Sequence, residues 1–313
     1  MKIFLTGADG YLGSLLAERF AEMPEVESIT GIGLGTAPCG LPTKANFFQL
    51  DMRSPDLARV MAGHDVVVNT ACIVLWPARM TAQERDDINL NGARHVAQTA
   101  LACGIKRFLH TSSIVVYDLA QLDGQRDVME DFPLGRGDSK FYYWNSKALA
   151  ERAVTEIFSH ADVALTCLRP TYIIGPRNVP VVKSYQRNGV NIRGHNPQRQ
   201  FIHEEDVAAA FVLALRCELR GAFNITPDDA VRLAEVWPLL GKRYVPTVSL
   251  RTARFVTWVR WRFFGAPVHP CWVEDMLVDF TGSNTRLKAQ GWTPRYTCAA
   301  ALRSAAGLNF QNA

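Results

Sequence analysis

The chain has 313 residues, 48% of them hydrophobic and 20% charged, so it can bury a large core and its length suits about two domains. Its 34 basic and 30 acidic residues are mixed along the chain and give a net charge of +4, which argues against a nucleic-acid partner. Seven scattered cysteines without a C-x-x-C pair argue against a disulfide framework, and seven histidines without H-x-x-x-H spacing argue against a metal site.

The first apolar run, residues 1–5, ends at Gly7 and is too short for a signal peptide. No stretch offers the roughly 20 continuous apolar residues of a transmembrane helix. We therefore expect a cytoplasmic protein without stable membrane insertion. Residues 251–264 mix four arginines with aromatic side chains. They predict a helix that lines a substrate-binding region or, alternatively, a surface helix that touches lipid.

Short apolar runs alternate with amphipathic stretches over the first half of the chain. The runs, which predict buried strands, are residues 2–5, 28–32, 46–50, 66–68, 107–110 and 163–168. The stretches with helical spacing are residues 11–22, 81–103 and 140–158. Strand followed by helix, repeated, predicts a parallel sheet covered on both faces, which is the α/β class.

The segment T-G-A-D-G-Y-L-G follows the first predicted strand and opens the first predicted helix. Gly7 allows a tight turn, Gly10 lets the backbone approach a pyrophosphate, and Gly13 lets the helix pack on the strand. The helix begins with Tyr11 and Leu12, and its free N–H groups would bind the phosphates. We therefore assign these five residues to a dinucleotide site.

This placement predicts a Rossmann-like, doubly wound parallel sheet. Residues 1–168 would form the NAD(P)-binding domain and carry the catalytic residues. Frequent prolines after residue 169 predict a smaller, loop-rich substrate-binding region over residues 169–313. We expect residues 201–225, approximately, to return to the main sheet.

The choice between the two nicotinamide cofactors stays open. An acidic residue at the end of the second strand would hold the ribose diol of NAD, but Gly33 occupies the expected position. The missing carboxylate removes a repulsion against the 2′-phosphate of NADP, but no Arg or Lys follows within residues 34–40 to attract that phosphate. The sequence therefore favours NADP only slightly. Asp51, after the third predicted strand, either accepts a hydrogen bond from the adenine amino group or caps a helix that starts near residues 54–55.

Tyr143 and Lys147 are four residues apart and therefore lie on one face of a predicted helix. An ammonium near a phenol favours the phenolate and lowers the pKa of the phenol toward the range that a general acid–base needs. The preceding strand ends in Thr111-Ser112-Ser113, at the sheet edge that faces the ligand crevice. We predict that Ser113, in preference to Ser112, hydrogen-bonds the substrate oxygen on which charge develops.

Several motifs occur in the order found in extended short-chain dehydrogenases, from residue 2 to about residue 208. They are T-G-A-D-G-Y-L-G, D-M-R, V-V-V-N-T-A, N-L-N-G, I-K-R-F-L-H-T-S-S-I-V-V-Y, Y-x-x-x-K, L-R-P-T-Y-I-I-G-P and F-I-H-E-E-D-V-A. The chain thus resembles the extended short-chain dehydrogenase/reductases of the NAD-dependent epimerase/dehydratase superfamily. Within it, N-T-A-C-I, T-S-S-I-V-V-Y and L-R-P-T-Y-I look most like the branch of 3β-hydroxysteroid dehydrogenases and sterol decarboxylases.

The resemblance implies that Ser113, Tyr143 and Lys147 form the catalytic set and that Lys147 also holds the nicotinamide ribose. It implies hydride transfer between C4 of the nicotinamide and a secondary carbinol carbon, in which Tyr143 moves the hydroxyl proton. It also implies a homodimer that pairs through the predicted helices over 81–103 and 140–158. Besides the glycine segment, the residues that it assigns to the cofactor are Asp51, Met52, Asn69, Thr70, Ala71, Asn89, Tyr143, Lys147 and Pro170.

Three functions follow from these residues. We favour an oxidoreductase for an apolar substrate, because residues 255–264 and Trp272 are strongly aromatic. The alternative is a nucleotide-sugar epimerase or dehydratase, since related epimerases keep an arginine for the substrate pyrophosphate where this chain has Arg199. Otherwise Arg199 would form an ordinary surface or domain-bridging salt bridge. A non-catalytic dinucleotide-binding scaffold is disfavoured by the intact catalytic set, and His203 is expected to be a hydrogen-bonded structural residue.

Overall fold

The computed structural model describes residues 1–266 and 268–308, so residues 267 and 309–313 of the predicted substrate-binding region lie outside it. The first half of the chain contains β1 (Lys2–Thr6), α1 (Tyr11–Ala21), β2 (Ser28–Gly33), β3 (Ala45–Gln49), α2 (Leu57–Met61), β4 (Val66–Asn69), α3 (Ala82–Asp86), α4 (Gly92–Ala102), β5 (Arg107–Thr111), α5 (Leu119–Leu122), α6 (Tyr142–Phe158) and β6 (Ala164–Pro170). The second half contains β7 (Tyr172–Ile174), α7 (Val179–Asn188), β8 (Asn191–Ile192), β9 (Gln198–Arg199), β10 (Phe201–His203), α8 (Glu204–Arg216), β11 (Gly221–Ile225), β12 (Val231–Arg232), α9 (Leu233–Leu239), β13 (Thr247–Val248), α10 (Leu250–Phe264), α11 (Cys271–Asp275), α12 (Thr285–Lys288) and α13 (Cys298–Ala305).

One seven-stranded sheet organises the molecule, in the order β11-β6-β5-β4-β1-β2-β3, with every neighbouring pair parallel. This confirms the predicted Rossmann-like α/β fold, and all six predicted strands occur within a residue or two of their expected bounds. The strand order reverses at β1, which pairs with β2 on one side and β4 on the other. In such sheets the ligand crevice opens at the carboxyl ends of these strands.

The strands are apolar because both faces of the sheet are covered. On one face, α1 and α8 pack around a core that includes Leu15, Phe20 and Phe211. On the other face, α4 and α6 pack side by side over Phe108 and Val154. These two layers hold the strand ends, and therefore the crevice, in a fixed arrangement.

Two helix predictions need correction. The helix predicted over residues 81–103 is interrupted by a π-helical turn, Asp87–Asn91, which separates α3 from α4. The helix predicted over 140–158 begins at Tyr142. From the segment 201–225, β11 forms the outermost strand of the main sheet beside β6, whereas β10 pairs with β7 instead.

Candidate active site

The glycine turn between β1 and α1 has the geometry of a phosphate cradle. Gly7 has φ +67°, a left-handed conformation that favours glycine, and its carbonyl accepts the N–H of Gly10 at 2.9 Å. A Cβ on Gly13 would lie only 2.0 Å from the Gly7 oxygen, so α1 packs directly on the turn. No side chain caps α1 and no acidic residue lies in its first turn, which leaves its N-terminal N–H groups suited to an anion.

Tyr11 and Leu12 open α1, but the Tyr11 side chain turns away from the phosphate cradle. Its hydroxyl donates to Glu204 Oε2 on α8 and so ties the two helices together. Burial and the Glu204 carboxylate raise the pKa of this phenol well above its usual value. The part of Tyr11 that remains suited to a pyrophosphate is therefore its main-chain N–H.

Replacing Gly13 by alanine should disrupt this turn. We expect Gly13→Ala to lower the free energy of unfolding by about 1–3 kcal/mol or more, because the new methyl group must displace backbone atoms. Urea unfolding measures the loss. The control is Gly135→Ala, whose Cβ would meet its nearest atom, the Val116 oxygen, at an ordinary 3.4 Å. Equal stability of the two variants would contradict the packing argument.

The end of β4 lies against the glycine turn. Thr6 Oγ1 donates to Asn69 Oδ1 at 2.6 Å, and Thr70 Oγ1 donates to the Thr6 carbonyl at 2.6 Å. A Cβ on Gly7 would meet Ala71 backbone atoms at 3.0 Å. Asn69, Thr70 and Ala71 therefore border the predicted cofactor site, although the Asn69 and Thr70 side chains are used to hold the strand ends together.

Asn89 lies in the π-helical turn and holds the loop that follows β4. Its Oδ1 accepts the N–H of Ile73 at 2.7 Å, and its Nδ2 donates to the Ile73 carbonyl at 3.0 Å. Single π-helical turns are frequent at functional sites. The predicted cofactor role of Asn89 is thus compatible with an indirect contribution, in which the side chain positions the loop at the crevice.

Asp51 and Met52 follow β3. The Asp51 carboxylate accepts hydrogen bonds from the Arg53 guanidinium, and these hold its pKa below the usual value. The alternative that Asp51 caps a helix is wrong, because α2 begins at Leu57 with Asp56 at its N-cap. Met52 is buried, and a Cβ on Gly92 would lie 2.4 Å from its terminal methyl group.

Ser113, Tyr143 and Lys147 meet at the carboxyl end of β5. The Ser113 hydroxyl donates to the Pro170 carbonyl at the end of β6 at 3.4 Å, and it is near enough to Tyr143 to lower the pKa of that phenol. Lys147 is buried, donates from Nζ to the Thr111 carbonyl at 2.8 Å and lies 5.9 Å from the centroid of the Tyr143 ring. The three residues that the sequence grouped are therefore neighbours.

The electrostatics of Tyr143 differ from the sequence-based expectation. Burial raises the pKa of its phenol well above 10, and the neighbouring Ser113 hydroxyl lowers it only in part. Nearby, burial and the Lys147 ammonium lower the pKa of His110 to about 3, so this imidazole is neutral. In this state of the site, Tyr143 holds its proton.

Unpaired hydroxyl groups surround the same strand ends. Within the described residues, Thr111 Oγ1, Ser112 Oγ and Thr171 Oγ1 are buried without a hydrogen-bond partner. Buried polar atoms are usually satisfied, so such a cluster needs an explanation, and a polar ligand in the crevice is one. Ser113 differs from Ser112 in this respect, because its hydroxyl accepts the Val115 N–H and donates to the Pro170 carbonyl.

An aromatic wall, formed by Trp76, Tyr142, Trp261, His269 and Trp272, lies beside Tyr143. The Trp272 ring is 5.4 Å from the Tyr143 ring, and its Nε1 donates to the Tyr142 hydroxyl at 3.0 Å. Trp76 stacks on His269 at 4.6 Å, and Trp261 donates to the Trp76 carbonyl at 2.7 Å. The wall makes this side of the site apolar.

Arg85 is a cation inside this wall that sequence analysis missed. It is buried, and its guanidinium lies 4.2 Å from the Trp76 ring and 4.5 Å from the Tyr142 ring. It pairs with Asp86, and burial together with Arg85 lowers the pKa of His269 to about 4. The sequence contained no signal for this arrangement, because Arg85 and His269 are far apart along the chain.

Arg199 and His203 are structural. Arg199 is buried and donates to the main-chain carbonyls of Asp275 (2.5 Å) and Val278. Within the described residues it forms no salt bridge, and these contacts lie inside the predicted substrate-binding region, so the expected surface or domain-bridging salt bridge is wrong. His203 accepts the N–H of Glu205 at the start of α8 and contacts the Ser304 hydroxyl at 3.1 Å, as expected. No group of three or more His, Cys, Asp or Glu suitable for a metal occurs in the part of the chain that the structure describes.

α10 contributes Trp261 to the aromatic wall, which agrees with a helix beside the substrate region. The helix also leaves several apolar side chains exposed, namely Phe255, Val256, Trp258, Phe263 and Phe264. Among the described residues, no helix has the length and apolar character needed to cross a bilayer. Contact of α10 with lipid stays a prediction.

A glycine turn after the first strand of a parallel sheet, with serine, tyrosine and lysine grouped at the strand ends, defines an enzyme of the extended short-chain dehydrogenase type. A model of the NAD dependent epimerase/dehydratase family matches residues 3–226. The chain therefore belongs to that family.

Curated relatives agree with the resemblance to the hydroxysteroid dehydrogenase branch. The chain is 28% identical to short-chain dehydrogenase/reductase family 42E member 1 of Xenopus laevis, over 68% of this chain and 58% of that protein. It is 27% identical to the decarboxylating sterol-4-alpha-carboxylate 3-dehydrogenase of Candida albicans, over 68% of this chain and 63% of that protein. An uncharacterized protein of Mycobacterium tuberculosis is 26% identical to this chain, over 78% of this chain and 67% of that protein.

Solved structures share the fold. UDP-glucuronic acid 4-epimerase from Bacillus cereus in complex with NAD superposes with a TM-score of 0.76 at 17% identity, over 98% of both chains. UDP-glucose 4-epimerase from Thermotoga maritima gives 0.75 at 17% identity, again over 98% of both. At these identities the likeness establishes the architecture and leaves the substrate open.

Proposed function

We propose that the protein is an NAD(P)-dependent oxidoreductase that interconverts a secondary alcohol and a ketone on an apolar substrate. The observation that carries the proposal is the grouping of Ser113, Tyr143 and Lys147 at one strand end, beside the aromatic wall. The similarity to a sterol dehydrogenase supports the same substrate class. We further propose a homodimer that pairs through α4 and α6.

The cofactor would lie along the carboxyl ends of the strands. We propose that the turn with Gly7, Gly10 and Gly13, together with the N–H groups of Tyr11 and Leu12, binds the pyrophosphate. The crevice beyond this turn would be lined by residues at the carboxyl ends of β3, β4 and β6 and just after them. Their proposed cofactor-binding residues, with Asn89 behind them, are Asp51, Met52, Asn69, Thr70, Ala71 and Pro170.

The catalytic residues would divide the work by their positions. The nicotinamide, when bound, supplies hydride transfer to or from the carbinol carbon. Tyr143 takes the hydroxyl proton in oxidation and returns it to the ketone oxygen in reduction. Ser113 would hydrogen-bond the same oxygen, and the Lys147 ammonium, 5.9 Å from the centroid of the Tyr143 ring, would stabilise a phenolate and hold the nicotinamide ribose.

The raised pKa of Tyr143 predicts different pH dependences for the two directions. Oxidation needs the deprotonated phenol, whose fraction grows about tenfold per pH unit below the pKa, so the oxidation rate should rise between about pH 6 and 10. Reduction needs the protonated phenol and should stay flat over that range. The measurement is kcat/KM in both directions, and an oxidation rate independent of pH would contradict the assignment.

The alternative function is a nucleotide-sugar epimerase, which the NAD-bound and UDP-sugar-bound epimerases of the same fold support. Against it, the main-chain carbonyls around Arg199 already occupy the guanidinium that would bind a pyrophosphate.

A screen of cofactor absorbance tests the two functions. Both nicotinamides are offered with sterols, β-hydroxy acids, flavonols and sugar nucleotides. A net absorbance change with an apolar alcohol or ketone supports the oxidoreductase. Conversion of a sugar nucleotide without net absorbance change, by protein that retains NAD through purification, would favour the epimerase.

A further inference from the structure

A carboxylate lies at the end of β2, although β2 does not supply it. Asp9, in the glycine turn, extends its side chain across to this strand end, where Oδ2 accepts the N–H of Gly35 at 2.6 Å. A Cβ on Gly33 would lie 1.9 Å from Asp9 Oδ1, and a Cβ on Gly35 would lie 2.8 Å from Oδ2. The space that a side chain at either position would fill is therefore occupied by the Asp9 carboxylate.

This position is where an open α/β sheet distinguishes its dinucleotides. The adenosine ribose of a cofactor seated on the β1–α1 turn lies at the end of β2, and an acidic residue there binds the ribose diol of NAD. A carboxylate can accept both hydroxyl protons, whereas it repels the 2′-phosphate of NADP. Both effects depend on where the carboxylate lies and not on which strand or turn supplies it. Asp9 can therefore bind the ribose diol and repel a 2′-phosphate from the neighbouring turn.

The carboxylate is free to accept such bonds. Within residues 1–266 and 268–308, the Gly35 N–H is the only hydrogen-bond donor to Asp9, and it uses Oδ2 alone. Oδ1 thus keeps its acceptor capacity, and Asp9 is only partly buried, so a ligand can reach it.

The cations around this strand end are already neutralised. Arg53, after the adjacent β3, pairs with Asp51 and Asp87, and Arg177 pairs with Glu18 on α1. Residues 34–40 contain no Arg or Lys. The described surroundings therefore offer a 2′-phosphate one nearby negative charge and no unpaired cation to offset it.

We infer that Asp9 makes the site selective for NAD over NADP, and that Gly33 is a glycine because the carboxylate needs its space. The inference rests on the proposed dinucleotide binding and goes beyond it by naming the specificity residue. It removes the basis of the slight preference for NADP, which came from the missing carboxylate at Gly33.

Calorimetric binding of NAD and NADP to the cofactor-stripped full chain tests this without an activity assay. We expect wild-type protein to bind NAD at least about tenfold more tightly than NADP, the scale of one charged hydrogen bond. Asp9→Asn keeps an oxygen for the Gly35 N–H but removes the charge, so it should reduce this ratio about tenfold or more. Added salt should narrow the ratio in wild type more than in the variant, because salt screens the repulsion.

Two further variants test whether the position of the Asp9 carboxylate matters and whether removing an unrelated carboxylate has the same effect. Gly33→Ala keeps the charge but displaces the carboxylate, and should also reduce the NAD:NADP ratio. Asp56→Asn removes an exposed carboxylate at the start of α2 that is not assigned to the cofactor site, and should leave the ratio unchanged. Equal binding of both cofactors by wild type, or an unchanged ratio in Asp9→Asn, would overturn the inference alone. Failure of wild type to bind either dinucleotide would overturn it together with the proposed function.

Discussion

Tyr143→Phe is expected to lower kcat by about 10²- to 10⁴-fold on any substrate that the wild-type protein turns over, because the variant has no proton to move at the reacting oxygen. Ring packing against Trp272 should persist, since the ring itself is kept. Cofactor affinity should therefore stay within a few-fold of wild type. The measurements are steady-state kinetics and dinucleotide titration on the same preparation.

Tyr142→Phe is the matched control, one residue earlier on the same helix. Its hydroxyl donates to the Val74 carbonyl at 2.6 Å and accepts from Trp272 Nε1, so this substitution likewise removes a hydroxyl group from a packed aromatic ring. We expect a loss of less than about tenfold, because that hydroxyl is used in structural contacts. Comparable activity of Tyr143→Phe and wild type would remove the assigned acid–base.

Arg169→Met should destabilise the fold by about 3–5 kcal/mol, because it leaves the Glu151 carboxylate buried without its partner. The two side chains are 4% and 3% exposed, and Arg169 Nε lies 3.2 and 3.1 Å from the two Glu151 oxygens. The same guanidinium donates to the Tyr117 hydroxyl and to the Glu130 carbonyl, each at 3.0 Å. This pair joins α6, the helix that carries Tyr143 and Lys147, to β6.

The double variant Glu151→Met/Arg169→Met tests the physical reason. Removing both charges takes away the uncompensated carboxylate, so the double variant should recover part of the loss seen in Arg169→Met. Urea unfolding of wild type, both single variants and the double variant gives the coupling free energy between Glu151 and Arg169. If the free energy of unfolding of Arg169→Met lay within about 1 kcal/mol of the wild-type value, the pair would contribute little to stability.

The sequence predicted those features that depend on neighbours along the chain. Six strands and the glycine turn follow from hydrophobic runs and from glycines at fixed offsets, because a buried parallel strand and a tight strand-to-helix turn each impose a local pattern. The shared face of Tyr143 and Lys147 follows equally from helical spacing. Ser113 was placed beside them because the carboxyl ends of parallel strands meet at one edge.

Only the tertiary structure decided which distant residues meet. It brought Asp9 to Gly33 and Arg85 to His269, and it buried Arg199 against main-chain carbonyls. These contacts depend on how loops and helices pack over the sheet, and no periodicity along the chain encodes them. For the same reason a glycine at the end of β2 indicated a missing carboxylate in the sequence, whereas in the folded chain it makes room for one.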